Sequence, residues 1–137
     1  MASVKKLKCV LCEKEFDLSS DVFTCPDCGS DGTLDVLYDY EEVRQKFTPE
    51  TLAVNKERSI SRYIELLPLS DPSFFPNLKV GCSPLYESGY WARKLGVKQV
   101  LIKDDGRNPT ASFKDRASFI GVAKAKEKGA TSIACAS

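Results

Sequence analysis

The stretch Asn108-Pro109-Thr110-Ala111-Ser112-Phe113-Lys114-Asp115-Arg116 decides how this chain is read, because a strand-like run enters it and a helical pattern leaves it. Asn108-Pro109 is a turn signal, and proline biases the residue before it away from the helical region, so the preceding strand must end here. Ser112 reads as a helix N-cap with Asp115 three residues on, an aspartate version of the capping box. Lys114 then falls in the first helical turn, where the partial positive charge of the helix end favours anions rather than an ammonium. A lysine so placed is either a surface cation paired with Asp115 or another acid, or an amine set up to attack a carbonyl, which only its neutral form does.

Upstream, Val97 to Lys103 is rich in Val, Leu and Ile and predicts a buried strand. Gly89 to Leu95 predicts a helix ended by Gly96. Downstream, Phe113, Ala117 and Ile120 are expected to line one face of a helix, with Lys124, Lys126, Glu127 and Lys128 crowding its solvated end beside Gly129. Thr131 to Ala136 reads as a second short strand. Strand, helix and strand would then make a right-handed crossover with parallel strands, and ligands of open α/β sheets collect where such strands end.

The chain of 137 residues is 42% hydrophobic and 28% charged, an ordinary globular composition. Its 20 basic and 19 acidic residues balance to +1, so charge alone implies neither a nucleic-acid nor a membrane partner. There is no histidine, which excludes a Ser-His-Asp or Cys-His nucleophile and any imidazole metal ligand from this chain. The start has no signal-peptide core and no run approaches the roughly 18 apolar residues of a membrane span, so a cytoplasmic location is expected.

Cys9-x-x-Cys12 and Cys25-x-x-Cys28 form two knuckles separated by twelve residues. Two short loops that each present two thiolates suit a tetrahedral zinc ion, and four sulfurs leave no open position, so the site would be structural. Two disulfides are the alternative, disfavoured by a cytosolic address. Phe16 and Val22-Phe23, flanking a Ser19-Ser20-Asp21 turn, read as a hairpin, giving a zinc ribbon over residues 1–35. Lys5, Lys6, Lys8 and Lys14 could offset the thiolate charge. A nucleic-acid role for the ribbon is the rival reading, and no basic stripe interleaved with aromatics supports it. Cys82 and Cys135 read as buried, small apolar residues.

Residues 36–80 read as a helical and linker segment packing on the main body. A helix is expected over Asp39 to Phe47, broken near Pro49, and another over Asn55 to Leu67, where Ile60, Ile64 and Leu67 recur at helical spacing before Pro68. Asp71 to Asn77, with two prolines and Phe74-Phe75, reads as a linker. Gly81-Cys82-Ser83-Pro84-Leu85 reads as a turn into a strand edge.

The nine residues from Asn108 to Arg116 closely resemble the N-P-T-x-S-F-K-D-R segment of threonine synthases, pyridoxal-phosphate enzymes of fold type II, with Ala111 where glycine is common. Arg62-Tyr63 with Glu65-Leu66-Leu67-Pro68 is similar to the family's R-Y-x-E-L-L-P stretch, although Ser61 stands where tryptophan is frequent. Gly81 to Leu85 resembles its G-x-T-P-L segment, with Ser83 in the hydroxyl position. Amino-terminal ribbons of the kind read here also occur in some members.

The resemblance implies an α/β fold in which residues 81–137 begin a tryptophan synthase β-like, parallel-sheet catalytic domain of fold type II behind the small zinc ribbon. It implies pyridoxal 5'-phosphate held as a Schiff base by Lys114, with Phe113 packing by the cofactor ring. It also implies conversion of O-phospho-L-homoserine and water to L-threonine and phosphate. The family's S-T-G-N segment and later glycine-rich phosphate loop are not present, and the eight glycines here form no phosphate cradle. The chain is therefore expected to correspond to about the first third of a family member and to be inactive alone, with strand edges that favour self-association. Cysteate synthase or a hydroxyamino-acid dehydratase is the rival within the enzyme class. A catalytically dead zinc-binding interaction module is the rival outside it.

Overall fold

A computed structural model describes residues 4–19 and 21–135. Ser20 of the expected turn, and Ala136 and Ser137 at the end of the expected last strand, lie outside the described residues. The chain divides into two compact units, Met1–Asn55 with Tyr63–Ser73, and Lys56–Arg62 with Phe74–Ser137. No helix among the described residues is long and apolar enough to cross a membrane.

The first unit is built on a three-stranded antiparallel sheet in the order β2-β1-β3, with β1 spanning Val4–Cys9, β2 Glu15–Phe16 and β3 Leu34–Tyr38. Leu7 sits opposite Phe16 on one side and Val36 on the other. The expected hairpin is therefore displaced. Phe16 pairs back onto β1, while Phe23 is 83% exposed. The first Cys-x-x-Cys segment is itself the turn, closed by Cys9 N–H donating to the Lys14 carbonyl at 2.9 Å and by Glu13 in the left-handed region at φ 62. The central strand takes its second partner from 25 or more residues away, which local periodicity does not reveal.

Asp39 caps α1 (Tyr40–Lys46), its carboxylate accepting from Glu42 N–H at 3.0 Å, as the Asp39 to Phe47 helix required. Pro49 does more than break that helix. Thr48 and Thr51 form a reciprocal capping box, and Pro49 stands at the first position of α2 (Pro49–Val54), where its missing N–H costs nothing. The core of this unit is small: Val43, Leu67 and Leu69 are buried together with Cys9 and Cys25. The long helix expected from Asn55 to Leu67 is instead 3-10 structure over Ile60–Leu66, kinked at Tyr63. Ser59 competes for the backbone there, its hydroxyl accepting from Ser61 N–H at 3.1 Å.

The second unit contains a two-stranded antiparallel ribbon, β4 (Leu85–Glu87) against β5 (Leu101–Lys103), with Tyr86 opposite Ile102. Between them α3 (Gly89–Leu95) is capped by Ser88 and ends on Gly96 at φ 66, where a residue without a Cβ is unstrained. On α3, Tyr90 meets Trp91 edge-on at 5.2 Å, and Lys94 Nζ lies 4.9 Å from the Trp91 ring centre.

Two expectations fail in this unit. The strand before the motif is shorter than Val97 to Lys103, and Leu101 and Ile102 are exposed rather than buried. Residues 131–135 form no strand, so the parallel crossover is absent among the described residues. A parallel pair needs ladder bonds from a second strand, and among the described residues β5 has only its antiparallel neighbour β4.

The helix after the motif, α4, spans Asp115–Glu127 and buries Phe119 and Ala123, an i, i+4 pair, with Phe75 packed on Phe119 at 5.2 Å. The face is thus rotated from the one expected. Phe113 precedes the helix, and Phe113 and Ala117 are exposed. Cys82 and Cys135 are exposed as well, correcting their reading as core residues. Lys124 pairs with Glu127, and Gly129 takes φ 77 just past the helix end.

Candidate functional site

The two knuckles converge. The Sγ atoms of Cys9, Cys12, Cys25 and Cys28 all lie within 4.8 Å of one another, with Cys12 and Cys25 3.6 Å apart, a group that could hold a metal ion. A tetrahedron of zinc-sulfur bonds of about 2.3 Å has edges of about 3.8 Å, so the spacing fits that ion. Backbone N–H groups of Cys12 and Leu11 aimed at the Cys9 sulfur draw its thiol down to about 7, Leu11 N–H donating at 3.4 Å. The Cys28 thiol is pushed up to about 12, first by its interaction with the Cys12 sulfur, then by burial and by the Cys9 and Cys25 sulfurs. Gly32 closes the second knuckle: a Cβ there would lie 2.6 Å from that of Cys25 and 2.8 Å from that of Cys28.

The four lysines expected around this cluster have carboxylate partners instead. Lys5 pairs with Asp39, Lys6 with Glu15, Lys8 with Glu13 and Lys14 with Asp27. Lys14 also feels the sulfurs. Its ammonium is favoured first by Asp27 and then, more weakly, by Cys25 and Cys12.

Lys114 immediately precedes α4 in helical conformation, its carbonyl accepting from Ser118 N–H at 3.0 Å. Its N–H donates to the Ser112 hydroxyl at 3.1 Å, so Ser112 does serve the start of the helix. Asp115 plays a different part from the one expected. Its carboxylate reaches back to Thr110, accepting from the backbone N–H at 2.8 Å and the hydroxyl at 2.5 Å. Ala111 between them sits at φ 56, so the position favours a residue without a Cβ.

Lys114 lines a cleft of about 680 Å³ together with Thr110 and Ser118 and an apolar wall that includes Val80, Phe119 and Val122. Phe113 is 62% exposed and is not among the cleft-lining residues, but its ring centre lies 5.5 Å from Lys114 Nζ. Two other lysines of the region are committed elsewhere: Lys103 Nζ donates to the Ser83 carbonyl at 2.5 Å, and Lys124 to Glu127.

Next to the motif in sequence lies a polar cluster that sequence reasoning missed. Arg116 grips Asp105 with two parallel bonds, Nη2 at 2.7 Å and Nε at 3.0 Å, and donates a third to the Ser83 hydroxyl at 3.2 Å. Ser83 in turn donates to Asp105. The Arg116 guanidinium first, and the Ser83 hydroxyl second, hold the Asp105 carboxyl well below the usual carboxylate range. Asn108, buried, accepts from Gly81 N–H and donates to the Asp105 carbonyl, each at 2.9 Å. The partners are up to 33 residues apart, and the only local signal was a hydroxyl at Ser83 beside Pro84.

Residues 77–137 match the family of pyridoxal-phosphate dependent enzymes. The threonine synthase of Methanocaldococcus jannaschii is 40% identical over 130 residues, covering 95% of this chain and 31% of that protein. The threonine synthase of Methanosarcina acetivorans is 40% identical over 131 residues, covering 96% and 31%. That of a Synechocystis species is 39% identical over 90 residues, covering 65% and 24%. The chain thus spans about a third of the length of the curated relatives it matches most fully. No solved structure matches it with significance. Residues 77–137 thus match the pyridoxal-phosphate dependent enzymes, and the chain is similar over nearly its whole length to the amino-terminal portion of threonine synthases.

Proposed function

We propose that this chain is the amino-terminal portion of a threonine synthase, acting on O-phospho-L-homoserine and water to give L-threonine and phosphate, with Lys114 as the residue that holds pyridoxal 5'-phosphate covalently. The observation that carries this reading is the position of Lys114: an amine at a cleft with an apolar wall, in a nine-residue turn inside the matched region. A primary amine beside apolar surface and two hydroxyls suits a flat, phosphorylated aldehyde. Phe113, whose ring already flanks the amine, is the aromatic neighbour proposed for the cofactor ring.

When bound, the cofactor supplies an electron sink for carbanion chemistry. Lys114 supplies the rest of what this segment contributes. Its amine would take protons from Cα and Cβ and return them at Cγ and Cα, as phosphate leaves Cγ and water adds at Cβ. Thr110 and Asp115 hold the turn that carries it. In the other unit, the four cysteines hold one structural zinc ion, which takes no part in the reaction.

The test is reduction with borohydride in saturating pyridoxal phosphate, followed by peptide mapping. The pyridoxyl label is expected on Lys114 and is expected to vanish in Lys114→Ala; a label concentrated on any other lysine overturns the assignment. Zinc is checked by metal analysis of freshly purified, reduced protein, where about one ion per chain is expected and none overturns the metal reading.

A further inference from the structure

Both ends of the stretch 108–116 are fastened to the same two places. At its start Asn108 binds Gly81 N–H and the Asp105 carbonyl; at its end Arg116 binds the Asp105 carboxylate and the Ser83 hydroxyl. We infer that Arg116 and Asp105 are positioning residues that set the direction in which Lys114 presents its amine to the cleft. This rests on the functional reading of Lys114 given above.

The geometry explains why a clamp at Arg116 governs a side chain two residues away. Successive helical residues point about 100° apart. Asp115, tied to Thr110, and Arg116, tied to Asp105, therefore hold the first turn of α4 from two different directions and fix its rotation about the helix axis. A side-chain tip lies about 6 Å from that axis, so a 20° rotation would move it by about 2 Å. Reacting groups need placement within about 0.5 Å, and an error of about 1 Å can cost a hundredfold. Space for the clamp is reserved. At Gly81, φ 85, a Cβ would come within 3.0 Å of Arg116 Nη1 and 3.1 Å of the Ile60 nitrogen. The planar fork matters as well as the charge, because lysine cannot make two parallel bonds to one carboxylate.

The experiment compares the chain with Arg116→Met, Arg116→Lys and Asp105→Asn, each treated with pyridoxal phosphate and borohydride. The share of label on Lys114 is mapped against that on the other lysines, and folding is followed by circular dichroism and the thermal midpoint. Arg116→Met is expected to lower the Lys114 share by about tenfold or more, with labelling of other lysines unchanged and secondary structure retained. Arg116→Lys should restore part of it. A role in stability alone would shift the midpoint without redistributing the label. If Arg116→Met does not fold, the near-isosteric Asp105→Asn carries the test, because it removes the charge that the guanidinium grips. Wild-type selectivity in every folded variant overturns this inference and leaves the functional reading standing. Absence of selectivity in the unsubstituted chain overturns the functional reading, and this inference with it.

Discussion

In the unit built on β1, four sulfurs from two loops close on one another within 4.8 Å, and two of them, on Cys9 and Cys25, belong to fully buried residues. In the unit that carries Lys114, the candidate site is a single exposed amine at an open cleft, on a stretch fastened at both ends through Arg116, Asp105, Ser83 and Asn108. The first arrangement is complete in itself, and ligation of an ion can replace much of a hydrophobic core. The second depends on side chains that meet across long sequence separations, while Leu85, Leu101 and Ile102 of its ribbon remain exposed. On the proposed reading, removing the ion would switch off one unit and loosening the clamp the other.

The sharpest way to break this contrast is to withdraw the proposed zinc ion. Structural zinc contributes about 10 kcal/mol or more to small domains of this kind. Chelation, or Cys25→Ser, is expected to abolish cooperative unfolding of the cysteine unit while labelling at Lys114 persists; joint loss of both would show that the two sites are not independent. Next is Gly32→Ala. With φ −77 the backbone tolerates alanine, so the cost is steric, about 1–3 kcal/mol from overpacking the knuckle, and weaker zinc retention during titration with a competing chelator should accompany it.

The clamp should reveal itself through pH. The folded Asp105 carboxyl is held below its ordinary value, so its contribution is fully present above about pH 4 and is lost as pH falls through the folded value. Urea midpoints at about pH 7 and pH 3 are expected to differ less in Asp105→Asn than in the parent chain. An unchanged difference would remove Asp105 from the acid response.

The smallest effect is expected at Ala111→Gly. Relief of the left-handed conformation is worth about 1–2 kcal/mol, offset by about 0.5–1 kcal/mol of glycine's extra chain entropy. A net gain of about 0.5–1 kcal/mol in chemical denaturation is expected. Glycine is common at this position in the segment that Asn108 to Arg116 resembles, and φ 56 gives that glycine a physical reason.

Features set by neighbours in sequence were the legible ones. Asp39 caps α1, Gly96 ends α3 in the left-handed region, and the paired cysteine spacing brings four sulfurs together. Each depends on fewer than about five consecutive residues, or on a covalent type with few uses. What was misread depends on partners. The true pairing of β1 needs β3, and the buried face of α4 is set by Phe75 against Phe119. The Ile60–Leu66 segment has helical spacing, but local serine bonds and the Tyr63 kink turn it into 3-10 structure. The Asp105 clamp was invisible for the same reason: its members come from three separate segments, and none has a distinctive type.

The aromatic group on α3 has an optical consequence. Trp91 is the chain's sole tryptophan, stands in the unit that also contains Lys114, and has Tyr90 5.2 Å away and the Lys94 ammonium over its ring. Indole emission excited on its long-wavelength edge therefore reports on this unit alone, whereas far-ultraviolet signals average over both. A thermal scan followed by the two probes separates the melting of one unit from that of the other without a label, and their coincidence would mark a single cooperative transition.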